Sequence, residues 1–255
     1  MMVIKEGDWV LLYIDAKRNY LARVRRGHEL HTDEGVIALD ELIGSEYGST
    51  LRTHLGVKVI VTRPTLVDII LRGFKRSTQI IYPKDAAFIV LNAGVGPGSV
   101  VVEAGTGTGA LTAILAYLVR PSGKVYTYEI RKEILEVAKR NLRRVGLDKY
   151  VEFKHRDVRK GIDERNVDAV VLDLPDPWTV LGNAYAALRS GGVVVCFVPT
   201  VNQLERTVCA MREHGFIKVE GLELLERRYK VLPGETRPVN VMVGHTGFIA
   251  FARRP

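Results

Sequence analysis

Cysteine is scarce: Cys196 and Cys209 are the only two in 255 residues, and they do not form a C-x-x-C spacing. That excludes a disulfide scaffold and argues against a zinc site; no metal is expected. No apolar run reaches the roughly 18–20 residues a membrane span needs, because charged or polar residues interrupt every stretch. The opening MMVIKEGDWV has neither a basic lead nor an apolar core, so it does not read as a signal peptide. Internal repeats and low-complexity stretches are also missing. Acidic residues are in the minority, 29 against 37 Lys plus Arg, for a formal charge of +8. That balance points to a polyanionic partner, or equally to the ion-paired surface of a thermophile's protein. Against these absences stands a hydrophobic fraction of 47%, enough for a sizeable core, which excludes disorder as a whole-chain description. A soluble, cytoplasmic protein is the expectation.

Residues 1–60 carry short alternating runs, Trp9 to Ile14, Tyr20 to Val24 and Val36 to Leu39, broken by turn-formers. They predict a small antiparallel β domain. Residues 61–78 have few helix signals and read as a linker with the basic cluster Arg72, Lys75 and Arg76. From Pro83 the pattern alternates. Helices are predicted over 84–93, 110–119, 131–145, 178–188 and 201–214, and strands over 99–103, 124–129, 150–155, 167–172 and 193–198. Continuous β-branched runs separated by helices predict a buried parallel sheet. Residues 216–225 and 239–252 read as two long strands closing it as an antiparallel hairpin.

The strongest local signal is Glu103-Ala-Gly105-Thr-Gly107-Thr-Gly109-Ala110, set between a strand and a helix. Glycines there let the backbone approach a ligand closely at the carboxyl edge of the sheet. Gly105, Gly107 and Ala110 fit G-x-G-x-x-A, which does not choose between a dinucleotide and S-adenosylmethionine. Charge does. A pyrophosphate wants a helix N-terminus free of carboxylates, yet Glu103, Glu129, Asp157 and Asp173 fall at four successive strand ends. That set suits a cationic, hydroxyl-rich ligand. Glu129 is placed for ribose hydroxyls and Asp157 for an adenine amino group. The alternative is that these acids merely cap the following helices.

At this point the chain resembles the class I methyltransferases. It most resembles the tRNA (adenine-N1)-methyltransferases that modify the T-loop adenine at position 58, and in archaea also position 57. The resemblance rests on Thr78-Gln-Ile-Ile-Tyr82-Pro-Lys-Asp85, Glu103 to Gly109, Asp173-Leu-Pro175 and Gly244-His-Thr-Gly-Phe248. Thr108 stands where Ser is common and Phe248 where Tyr is common; the hydroxyl and the ring are kept. The resemblance implies a Rossmann-like, seven-stranded methyltransferase domain (77–255) behind a small N-terminal β domain with its linker (1–76), assembled as a homotetramer. It also implies S-adenosylmethionine as cofactor, held by Gln79, Ile81, Gly105, Gly107, Gly109, Ala110, Leu111, Glu129, Asp157, Val158 and Asp173. Glu103 and Thr108 belong to the same loop. Tyr82 and Asp173 are implied beside the target base.

Methyl transfer from a sulfonium needs alignment rather than a metal. Attack by adenine N1 makes the ring cationic, and Asp173, accepting a hydrogen bond from the N6 amino group, would orient N1 and stabilise that charge. Asp173 has the alternative role of a helix cap, and Tyr82 that of a core tyrosine with a satisfied hydroxyl. His245, in a segment that reads as strand, is taken as structural, as are Cys196 and Cys209, with an intersubunit disulfide open for Cys209. The basic clusters Arg23, Arg25 and Arg26; Arg72, Lys75 and Arg76; Lys139, Arg140, Arg143 and Arg144; and Arg227, Arg228 and Lys230 are candidates for tRNA phosphates, or solvated faces. A small-molecule methyltransferase of the same fold, an NAD-binding oxidoreductase and a non-catalytic tRNA-binding subunit are the rival readings.

Overall fold

Alternation of apolar and polar residues builds the N-terminal strands. In the computed structural model, which describes residues 2–255, β1 (Trp9–Tyr13) pairs antiparallel with β2 (Asn19–Arg23). Asp15 turns the chain between them by accepting from the Lys17 and Arg18 amides. β3 (Glu29–Thr32) and β4 (Gly35–Ala38) form a separate hairpin. β5 (Thr50–Arg52) and β6 (Lys58–Thr62) complete a four-stranded sheet of order β2-β1-β6-β5. Val10, Leu12, Val59 and Val61 bury one face of it together with Ile37. The stretch read as a linker is not structureless. Thr65 caps a short helix, α1 (Leu66–Asp68), through reciprocal bonds with Asp68, and a π-helical turn continues it to Gly73, burying Ile69 and Ile70. Asp in the position where Glu or Gln usually completes a capping box hid that signal. This first unit ends at Phe74 and the second runs Lys75–Pro255.

The second unit opens with α2 (Pro83–Asn92). It continues through β7 (Val100–Ala104), α3 (Ala110–Leu118), β8 (Lys124–Glu129), α4 (Lys132–Arg144), β9 (Val151–His155), β10 (Val167–Asp173), α5 (Leu181–Ala187), β11 (Leu188–Val198) and α6 (Val201–Glu213). It closes with β12 (Ile217–Glu223), a two-residue pair β13 (Tyr229–Lys230) and β14 (Arg237–Pro238), and β15 (Phe248–Arg253). The seven-stranded sheet has the order β12-β15-β11-β10-β7-β8-β9, parallel except for β15. Helices cover it, so β10 is buried on both faces and consists of apolar residues from Ala169 to Leu172. The chain runs outward from β7 to β8 and β9, then returns to place β10 on the other side of β7. That reversal leaves a crevice outside the carboxyl ends of β7 and β10.

Two expected elements are corrected. The helix read over 178–188 breaks into a 3₁₀ turn (Pro177–Thr179) and α5, and Leu188 already belongs to β11. The strand read over 239–252 begins only at Phe248. Val239, Val241 and Val243 alternate like a strand, but they are exposed and pair with nothing in the sheet.

Gly109 shows how tightly the glycine loop is packed. It holds φ +81° at the start of α3, and a Cβ there would lie 2.7 Å from Leu142 Cδ2 and 3.2 Å from Ala138 Cβ on α4. Gly109→Ala should therefore destabilise the protein by about 2–4 kcal/mol, read as a lower urea midpoint at an unchanged m value.

Candidate active site

Glu103 ends β7 as a wholly buried carboxyl. Thr112 Oγ1 on α3 and Thr127 Oγ1 on β8 both donate to its Oε2 at 2.6 Å, and Thr127 in turn shares a 2.7 Å hydrogen bond with Thr106 of the glycine loop. Loop, helix and two strands are thus tied through one carboxyl group. Above it the loop amide of Gly107 donates to Glu129 Oε2 at 3.2 Å, and Arg131 reaches Glu129 Oε1 through its amide and its guanidinium. Gly105 is needed for close approach: a Cβ there would sit 3.1 Å from the Asp173 carbonyl at the end of β10.

The four strand-end acids differ electrically. Burial pushes the Glu103 carboxyl up to about 8; the Thr112 and Thr127 bonds oppose it without offsetting it, and Asp173 and Glu129 add a smaller repulsion. Asp173 is raised to about 6, first by desolvation in the crevice and then by Glu129. For Glu129 burial raises the carboxyl, but the Arg131 bonds outweigh it and the net direction is down. Asp157 is lowered by its bonds to Arg159. The expectation of four fixed negative charges is therefore refined: Glu103 is mostly protonated at neutral pH in the free protein.

Two adjoining depressions share Gly105 and Asp173. One is lined by Gln79, Ile80, Ile81, Glu103, Thr106, Gly107, Thr108, Ala110 and Leu111. The other is lined by Ala104, Tyr128, Glu129, Ile130, Arg131, Arg156, Asp157, Val158, Arg159 and Leu174 to Asp176. Of the residues singled out from the sequence, Gly109 and Tyr82 lie outside both linings. Gly109 serves the packing of the loop on α4. Tyr82 is 42% exposed at the N-cap of α2, so it is not a core tyrosine. Asp173 caps no helix; among the described residues no donor reaches its carboxylate. Asp157 does cap, accepting from the Arg159 amide at 2.9 Å, while still facing the second depression.

Sequence reasoning named Thr108 but missed Thr78, Thr106, Thr112 and Thr127. Thr78 and Thr108 have buried hydroxyls with no hydrogen-bond partner among the described residues. Thr78 Oγ1 would lie 3.1 Å from a Cβ on Gly107, so the two residues face the same loop. An unsatisfied buried hydroxyl costs about 1–3 kcal/mol, and a polar ligand group at the loop would relieve it. Both lie inside motifs quoted above, Thr78 at the head of the one ending in Asp85 and Thr108 within the glycine loop.

The strand order, the glycine loop at its switch point and the acidic crevice define a Rossmann-like methyltransferase domain behind a small β domain. Comparison with known proteins gives the family. Residues 57–237 match the description "tRNA methyltransferase complex GCD14 subunit" and residues 3–51 match "TrmI-like N-terminal". The tRNA (adenine(57)-N(1)/adenine(58)-N(1))-methyltransferase TrmI of Methanocaldococcus jannaschii is 38% identical over 96% of this chain and 94% of its own. The tRNA (adenine(58)-N(1))-methyltransferase TrmI of Thermus thermophilus is 37% identical over 96% of both. Among solved structures, tRNA (m1A58) methyltransferase TrmI from Aquifex aeolicus superposes with a TM-score of 0.87 at 34% identity, over 100% of this chain and 99% of that one. A SAM-dependent O-methyltransferase from Thermotoga maritima gives 0.93 at 40% identity, over 99% and 94%. The chain belongs to the TrmI/GCD14 family of tRNA methyltransferases.

The Glu103 carboxyl binds a proton more tightly in the folded protein than in the unfolded chain. Its contribution to stability is therefore full below about pH 4.5 and is lost progressively up to about pH 8. Glu103→Gln keeps an acceptor for both threonines without a titrating proton. Relative to that variant, the wild type should lose roughly 3 kcal/mol between pH 4.5 and 7, as measured by urea unfolding of both proteins across that range.

Proposed function

We propose that this chain transfers a methyl group from S-adenosylmethionine to N1 of adenine 58 in the T-loop of tRNA. The observation that carries the reading is Asp173: a carboxylate that no described donor reaches, at the shared wall of the two depressions. The site's donor set fits the cofactor. The partnerless Thr78 and Thr108 hydroxyls suit a carboxylate, while Glu103 and Asp173 suit an ammonium and a sulfonium. Glu129 suits ribose hydroxyls and Asp157 with the Val158 segment suits adenine. Gln79, Ile81, Gly105, Gly107, Thr108, Ala110 and Leu111 form the wall against the donor, and Gly109 holds the loop in place.

When bound, the cofactor supplies an electrophilic methyl carbon. The chain's residues supply alignment and charge. Asp173 accepts a hydrogen bond from the adenine N6 amino group, which points N1 at the methyl carbon and stabilises the cationic ring as it forms. Tyr82, exposed at the head of α2, is placed to stack on a base. The target base must leave its stack to reach this crevice. The exposed Arg25, Arg140, Arg143 and Arg227 are offered for tRNA phosphates. Lys139, Arg228 and Lys230 are already paired with Glu136, Glu226 and Glu235.

We further propose self-association as a homotetramer. The exposed Leu225, Val231, Val241 and Val243 between β12 and β15 favour it, since single-chain proteins rarely leave such a strip in water. A cytoplasmic location goes with a tRNA substrate; no described helix is long and apolar enough to cross a membrane.

Transfer to an oxygen is the second reading, favoured by the likeness to the Thermotoga maritima SAM-dependent O-methyltransferase. Labelled methyl donor with unmodified tRNA, followed by nucleotide mapping at positions 57 and 58, separates the two. Label at N1 of adenine 58 is expected; no label in tRNA would overturn the reading. Asp173→Ala should lower kcat by about 10²–10⁴-fold with an unchanged circular dichroism spectrum. Only the ionised Asp173 carries the charge that stabilises the cationic ring, so wild-type kcat/KM should rise with pH through about 6 and be lost below it.

A further inference from the structure

Two sequence motifs lie at opposite ends of the second unit, around Tyr82 and around His245, and the methyl-transfer chemistry uses only Tyr82. The structure joins them. Lys84 and Asp85 open α2 directly after Tyr82-Pro83, and Asp85 is fully buried. Lys84 Nζ donates to Asp85 Oδ1 at 2.7 Å, to the Leu224 carbonyl at 2.8 Å and to Thr246 Oγ1 at 2.7 Å. Thr246 Oγ1 donates to Asp85 Oδ2 at 2.8 Å. A buried carboxylate is tolerable only when paired and hydrogen-bonded this fully, here by a part-buried ammonium. The knot therefore specifies one seating of the Thr246 loop on the head of α2.

The same loop reaches the other wall of the crevice. His245 Nδ1 and Nε2 lie 2.7 Å from Glu223 Oε1 and 2.8 Å from the Pro199 carbonyl. Both partners are acceptors, so the ring satisfies both only as an imidazolium. Immediately beyond Pro199, Thr200 bonds Gln203, whose Nε2 donates to the Pro175 carbonyl two residues after Asp173. Gly247 completes the fit. A Cβ there would lie 2.3 Å from the ring of Phe197, which is the β11 partner of Asp173.

We propose, resting on the methyltransferase reading above, that Lys84, Asp85 and Thr246 are positioning residues: their knot, centred on the buried Asp85, holds the Gln79–Tyr82 wall against the 244–247 loop, which His245 braces to the Pro175 wall. The knot touches neither depression. It acts by fixing the distance between the segment bearing Tyr82 and the strand end bearing Asp173, a distance on which alignment depends steeply.

The test is Thr246→Val, which removes the hydroxyl at nearly constant volume and leaves the Lys84–Asp85 pair intact, with Thr246→Ser as the conservative rescue. Amide hydrogen exchange of residues 79–82 should rise at least tenfold in the valine variant and return to wild type in the serine variant. In the same variant kcat for tRNA methylation should fall about tenfold or more, with KM for tRNA and Kd for S-adenosylmethionine within about twofold of wild type. Unchanged exchange at 79–82, a serine variant that behaves like the valine one, or an effect confined to KM would each overturn the proposal. A wild-type protein that does not methylate tRNA would sink the functional reading instead, and the exchange measurement would still decide whether the knot holds that wall.

Discussion

Everything at the crevice depends on keeping a carboxyl group inside the protein near the carboxyl end of β7. Glu103 has no solvent to stabilise its charge, and two hydrogen bonds from threonines on different elements substitute for it only in part. Those bonds draw α3 and β8 onto β7 and, through Thr106, set the height of the glycine loop. The loop then positions its own amide on Glu129 and leaves Gly105 against the end of β10. Mutual repulsion among Glu103, Glu129 and Asp173 is thereby built into the folded state. A cation entering the crevice relieves it; an anion would add to it. This asymmetry favours a sulfonium donor over a dinucleotide more firmly than the glycine spacing does.

Much of the architecture was legible beforehand because its signals are local. Continuous β-branched runs such as Val167 to Leu172 mark strands buried on both faces, and the glycines between β7 and α3 mark a backbone that must turn with positive φ. The acids at successive strand ends could be read for the same reason, since strand ends follow from strand assignments. Errors arose where a local signal had no tertiary partner. Val239, Val241 and Val243 alternate with a period of two, yet the ladder to β11 is supplied by Phe248–Arg253 and leaves them outside. Leu188 was read as the end of a helix because nothing local shows that β11 begins there.

The site was less legible than the fold. Residue identity showed that Glu103 and Asp173 were carboxyls, but protonation is a property of what packs around them. Thr112, nine residues away on the next helix, and Thr127, on the neighbouring strand, are unremarkable threonines until the sheet brings them together. The same holds for the Lys84–Asp85 pair and Thr246, which lie about 160 residues apart in the chain. The net charge of +8 takes on a sharper meaning: the positive excess lies outside a floor that is acidic.

The central claim is that a cationic donor is recognised by carboxyls that are partly protonated until it arrives. Calorimetric titration of the free protein with S-adenosylmethionine near pH 7, repeated in two buffers of different ionisation enthalpy, reads the protons exchanged on binding. Release of about one proton is the predicted result, because a cation beside Glu103 and Asp173 lowers both toward ordinary carboxylate values. Binding with no proton exchange, or with uptake, would contradict the account.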